Sequence, residues 1–98
     1  MRKFKFHFDA GHGWLQVHLT DLYDIDLTPE DFTRFSYRNG DWLYLEEDLD
    51  AITFIRQWER QHDGFVRIVD HIDDGYNSPI RNFDRLPDTR ELADEIPF

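Results

Sequence analysis

Phe4, Phe6 and Phe8 alternate with Lys3, Lys5 and His7 at the start of the chain. In an extended strand, successive side chains point to opposite faces. Residues 3–8 therefore predict a β-strand whose phenylalanines turn to a core. Trp14 to His18 repeats the alternation, with Leu15 and Val17 inward and Trp14, Gln16 and His18 outward. Between the two lies Asp9-Ala10-Gly11-His12-Gly13, whose glycines are expected to supply the positive φ of a hairpin loop. Thr20-Asp21-Leu22-Tyr23 can open a short helix capped by Thr20. Thr28-Pro29-Glu30-Asp31 is a second start, with a threonine cap, proline at the first helical position and acids in the first turn. Phe35 to Arg38 reads as a strand, Asn39-Gly40 as a hairpin turn, and Trp42 to Leu45 as the returning strand with Leu43 and Leu45 inward. Over residues 48–61 the period changes. Ala51, Phe54, Ile55 and Trp58 recur at helical spacing, and Asp63-Gly64 stops the pattern. Phe65 to Ile72 predicts a fifth strand, with Val66 and Ile68 or Val69 facing the core.

The order ββ(α)ββαβ predicts an α+β fold of two layers. An antiparallel or mixed sheet of about five strands, built from two hairpins, packs against one main helix. Residues 1–75 are expected to form this single domain. Residues 76–98 are rich in Asp, Arg, Pro and Asn. They are expected to be an extended tail packed on the domain or trailing from it, with a helical turn near 90–94. Trp14 and Trp42, on the outer sheet face, mark either a second small core covered by Ile80, Phe83 and Leu86 or a partner-binding face.

Composition sharpens this picture. Ninety-eight residues make one domain with a modest core. A 40% hydrophobic and 16% aromatic content is more than a disordered acidic chain carries. The absence of cysteine excludes disulfides, thiolate zinc sites and thiol catalysis. With no such staple, a homodimer is a natural supplement to so small a core. Met1-Arg2-Lys3-Phe4-Lys5 lacks the apolar stretch of a signal peptide, and no apolar run reaches the length of a membrane span. The expected location is the cytoplasm, without a membrane partner.

Charge decides more. The chain has 21 acidic against 11 basic residues, a formal net charge of -10. Such a surface repels a polyanion, so direct nucleic-acid binding is not expected, and a protein with a basic surface is the favoured partner. Glu46, Glu47, Asp48 and Asp50 concentrate acid where a strand runs into the main helix. Carboxylates there oppose the positive end of the helix macrodipole, each worth roughly 0.3–1 kcal/mol, and one is expected to cap the helix. They can equally present charge to a partner. They lack the spacing and downstream glutamate of an EF-hand. Asp70-His71-Ile72-Asp73-Asp74-Gly75 reads either as a strand running into a polar turn or as a metal or acid–base pair. His7, His12 and His18, with Asp9, surround the first hairpin, where His7 and His18 could be cross-strand neighbours. Surface histidines and a two-histidine metal site or general base both fit. Ser78 has no His or Asp partner by spacing, and no cofactor motif is present, so no cofactor is expected.

Three stretches carry a resemblance: Gly11-His12-Gly13-Trp14-Leu15-Gln16-Val17; the run from Phe35-Ser36-Tyr37-Arg38-Asn39-Gly40-Asp41-Trp42 through Leu43-Tyr44-Leu45-Glu46-Glu47-Asp48-Leu49-Asp50-Ala51; and Ser78-Pro79-Ile80-Arg81-Asn82-Phe83. Together they resemble a family of short proteins encoded by phages, plasmids and other mobile elements. That family has no assigned activity, so the resemblance implies a context, a mobile-element accessory protein in a bacterial host, and no catalytic residue. Charge and context together lead to the expectation of a non-enzymatic, DNA-mimic-like protein. It would block a basic nucleic-acid-binding surface of a host protein, as an inhibitor of a defence system such as CRISPR. Its expected contacts are Asp21, Asp24, Asp26, Glu46, Glu47, Asp48, Asp73 and Asp74. The alternatives are a small metal-dependent hydrolase using His and Asp side chains, and a homo-oligomeric accessory protein pairing through the outer face that bears Trp14. The functional weight of the 46–50 run depends on whether the acids at 21–31 and 70–74 fold onto the same side: acids gathered on one face favour a contact surface, and an even scatter favours solubility alone.

Overall fold

The computed structural model describes residues 2–86. The helical turn expected near 90–94 lies outside them. The chain forms β1 (Lys3–Phe8), β2 (Gly13–His18), α1 (Leu19–Tyr23), β3 (Tyr37–Asn39), β4 (Trp42–Glu46), α2 (Asp50–His62), β5 (Arg67–Asp73) and β6 (Asp84–Arg85). Two single 3₁₀ turns, Pro29–Asp31 and Pro79–Asn82, lie between them. The α+β reading and the one main helix hold. The sheet has six strands, in the order β5-β1-β2-β4-β3-β6. The expectation of about five missed β6. Only two residues of it pair, in a polar stretch with no alternation to read, and the pairing comes from Tyr37 and Arg38 across the sheet edge. The sheet is mixed: β5 runs parallel to β1, while the other neighbours are antiparallel. A parallel neighbour needs a crossover, and α2 provides it between β4 and β5.

The alternation sets both faces. Phe4, Leu15, Val17, Leu43 and Leu45 meet Ala51, Phe54 and Trp58 of α2, with Leu22, Ile25 and Phe32 from the chain between β2 and β3. Phe4 stands edge-on to Phe54 and Trp58, at 5.4 and 5.2 Å between ring centroids. Each large side chain buried this way contributes about 1.5–3 kcal/mol. The opposite face carries a second cluster. Residues 78–83 cross it as a strap, and Ile80 and Phe83 pack on Trp14, Tyr37 and Tyr44. Leu86, expected in the same cover, instead enters the main core.

Local corrections have local causes. Gly11 and Gly13 do not have positive φ; Gly40 and Gly75 do. Gly13 answers to space, since a β-carbon there would run into the Phe6 ring and approach the Glu47 carboxylate. Asn39 pairs with Trp42, so the hairpin turn is Gly40-Asp41, with Gly40 at φ 61 in its first position. His18, not Thr20, caps α1: its ring accepts from Thr20 N while Asp21 accepts from His18 N. At the edge of the sheet, β5 exposes Arg67, Asp70, His71 and Asp73 and shifts register between Phe4 and Lys5. Charges and a bulge on an edge strand discourage pairing with another sheet.

Candidate functional site

The register places every expected contact residue. Trp14 pairs with Glu46 at one end of β2, and His18 pairs with Trp42 at the other. Asp73 pairs with Phe8, and Phe8 with Gly13, so the end of β5 lies at the Glu46 end of the sheet. Glu46, Glu47, Asp48, Asp73 and Asp74 therefore gather on one rim. Asp21, Asp24 and Asp26 follow His18 at the opposite end, roughly 13 Å away along the strands. The acids do not fold onto a single side.

Several of them have inward tasks. Asp21 is 5% exposed; both its oxygens accept from Arg2, and it completes the α1 capping box. Its charge holds the Arg2 guanidinium above its ordinary pKa, chiefly through that hydrogen bond. Glu46 accepts from the backbone N–H groups of Asp48 and Leu49 at 2.6 and 3.1 Å, tying the turn before α2. Leu49 is the helix cap and makes no side-chain cap bond, so none of the acids caps α2 as expected. Asp50 turns inward: its Oδ2 accepts from Thr33 N, Thr33 Oγ1 and Ser36 Oγ, and Ser36 Oγ accepts from Glu46 N. This buried relay joins the β2–β3 connection, β4 and α2. Asp73 accepts from Gly75 N and stays exposed. Asp24, Asp26 and Asp48 are exposed and belong to none of the ion pairs among the described residues.

Beneath the strap lies a polar cluster that sequence spacing could not assemble. Asp9 has a fully covered side chain. Arg81 donates to it through Nε and Nη2 at 2.6 and 2.9 Å, and the backbone N–H groups of Ser78, Gly11 and His12 also donate to it. Arg81, followed by the backbone donors, holds the Asp9 carboxyl far below the usual carboxylate range, and Asp9 in turn raises the Arg81 pKa. Nearby, His7 Nε2 lies 2.6 Å from Gln16 Oε1, and its buried Nδ1 faces Asp74 Oδ2 at 3.4 Å. Ser78 Oγ donates to Asp74 at 2.6 Å and accepts from Ile80 N. The serine hydroxyl thus bonds the Asp74 carboxylate rather than the His7 imidazole, so a Ser–His hydrogen bond is not formed among the described residues. Ser78 is 2% exposed and caps the 3₁₀ turn of the strap.

The histidines of the first hairpin separate. His7 pairs with Trp14, while His18 lies beside Trp42, 4.9 Å between ring centroids. They are not cross-strand neighbours. His12 is exposed in the turn, and His71 packs against Phe6. Among the described residues no group of three or more His, Asp or Glu side chains is placed to hold a metal ion, and no helix is long and apolar enough to cross a membrane. Trp14 is 2% exposed under the strap, so it is not available as a pairing surface; Trp42 keeps 39%.

Tyr44 adds a titration signal to this cluster. Burial, and then the Asp74 charge, raise its phenol above 10.0. The fold favours the neutral phenol, so this contribution is complete below about pH 10 and is lost as pH rises through the higher folded value. A Tyr44→Phe variant should therefore lose less melting temperature than the wild type between about pH 9 and about pH 11. Equal losses in the two proteins would refute this assignment.

No family model, no curated protein and no solved structure matches the chain.

Proposed function

We propose that the protein is a non-enzymatic, acidic interaction protein of a mobile element that occupies a basic, nucleic-acid-binding surface of a host protein, for example an effector of a CRISPR-type defence system. The observation that carries this reading is the set of uncompensated carboxylates on the sheet rim. Glu47, Asp48 and Asp73 sit at the ends of β4 and β5 and take part in no ion pair among the described residues, on a chain of net charge -10. Carboxylates so placed compete with phosphates for Lys and Arg and steer the encounter with a basic groove. Asp24 and Asp26 add charge at the far end, whereas Asp21 is committed to Arg2. The contact set thereby narrows to the rim.

Capture from bacterial lysate tests this reading. The wild type should retain a host protein at low salt, release it at high salt, and release it when excess DNA or RNA is added. The triple variant Glu47→Gln, Asp48→Asn, Asp73→Asn should retain roughly tenfold less, since exposed charges contribute up to about 1 kcal/mol each. Retention that persists at high salt, or that survives the triple substitution, would overturn the proposal.

A further inference from the structure

On the outer face, between the strap and β6, a small open cleft of about 90 Å³ lies beside the acidic rim. Its floor is aromatic: Trp14 and Tyr37, both buried, stand edge to face with ring centroids 6.2 Å apart. Two guanidinium groups lie over that floor, Arg81 at 5.3 Å from the Trp14 ring and Arg85 at 5.1 Å from the Tyr37 ring. Phe35, 52% exposed, lines the cleft together with His12 and Glu46. This is a gathering of cations in a chain of net charge -10.

The donors there are only partly used. Arg81 gives Nε and Nη2 to Asp9, and its Nη1 makes no hydrogen bond among the described residues. Among the described residues Arg85 makes a single long bond, from Nη1 to Arg34 O at 3.3 Å, and belongs to no ion pair, which leaves its Nε and Nη2 unspent there. His12 is exposed, and its ring nitrogens make no hydrogen bond among the described residues. Glu46 is the one acid in the lining, and its oxygens are held by the Asp48 and Leu49 N–H groups. A cationic ligand is disfavoured because the protein's own guanidiniums already cover the ring faces. A neutral apolar ligand would cover these N–H donors without satisfying them.

The geometry points to a binding site for a flat aromatic ring that carries a carboxylate or a phosphate. The anion takes the free N–H groups of Arg85 and Arg81, and the ring lies against Phe35. Two sources share this chemistry: a nucleoside monophosphate and an aromatic amino-acid carboxylate. The site is separate from the rim carboxylates that carry the proposed function and stands or falls without them.

Calorimetry with adenosine monophosphate and with N-acetylphenylalanine tests it, alongside inorganic phosphate and acetate as ring-free anions. Saturable one-to-one binding of either aromatic probe is expected, and whichever binds identifies the source. Arg85→Gln and Phe35→Ala should each weaken binding by about tenfold, since each removes a charged hydrogen bond or a stacking wall. Both side chains lie at the surface, and an unchanged Trp14 indole signal in the NMR spectrum verifies the fold of each variant. Glu46→Gln should tighten binding roughly threefold or more by removing the opposing charge, a gain that a structural role would not produce. Failure of both aromatic probes to saturate at millimolar concentration, equal binding of the ring-free anions, or insensitivity to Arg85→Gln would overturn the inference.

Discussion

Asp9→Asn should lower the melting temperature by about 10 °C or more, among the largest single-site losses in the molecule. Asn keeps the size of the side chain and removes its charge. Asn keeps one acceptor oxygen, and its amide nitrogen takes the other place. There it cannot accept either the bonds from Arg81 and Ser78 that converge on Oδ2 or those from Arg81, Gly11 and His12 that converge on Oδ1, and one of the two sets is lost. The loss is therefore double: the strap loses its tie to the first hairpin, and Arg81 is left stacked on Trp14 without its counter-charge. The pH dependence has a definite sign. The folded carboxyl is depressed below its ordinary value of 3.8, so its contribution is complete above about pH 4 and is lost only as pH falls through the lower folded value. The difference between wild type and Asp9→Asn should accordingly be constant from neutral pH down to about pH 4 and shrink below it. Asp41→Asn, at an exposed turn position, serves as the control and should melt within about 1 °C of wild type. An Asp9→Asn protein that melts with its control would show that the strap is held by Ile80 and Phe83 alone.

The second large effect is expected at Asp50. Asp50→Ala should cost about 3 kcal/mol of unfolding free energy, read from the midpoint of a urea titration. The side chain is 2% exposed and accepts from Thr33 N, Thr33 Oγ1 and Ser36 Oγ. Truncation leaves those donors buried and unpaired, which is costlier than the loss of the bonds themselves. Thr33→Val and Ser36→Ala remove single partners and should each cost less. Because all these groups share one oxygen, the double variant Ser36→Ala, Asp50→Ala should fall well short of the sum of its parts. Additive losses would mean that the relay does not act as a unit. Glu47→Gln, three positions earlier in the same acidic run, should change stability by no more than about 0.5 kcal/mol.

These contrasts within one acidic run show how far the sequence reached. Glu46, Glu47, Asp48 and Asp50 look alike as letters. Their surroundings separate them into a turn tie, a rim charge, an exposed charge and a buried acceptor. Periodicity found β1, β2, β4 and α2 because each buries one face against the same core, and that face is written in the residues themselves. It could not find β6, whose pairing is supplied from Tyr37 and Arg38. Nor could it find the Asp9 hub. The Asp-Ala-Gly-His pattern signals a side chain bonding its own turn, but Arg81 arrives from 72 residues away.

The candidate cleft was equally out of reach. Phe35 read as a strand residue and Arg85 as part of a tail, and only the antiparallel pairing of β3 with β6 sets Arg85 on Tyr37. By itself the sequence determined the α+β class, the inward and outward faces of the strands, the main helix and the acidic balance, because these follow from local alternation and composition. The tertiary structure alone decided which carboxylates are spent and which are free, that the acids divide between two ends of the sheet, and that arginines and aromatic rings meet under the strap. Each of those outcomes depends on contacts between residues distant in the chain, which register and crossover create and no local pattern encodes.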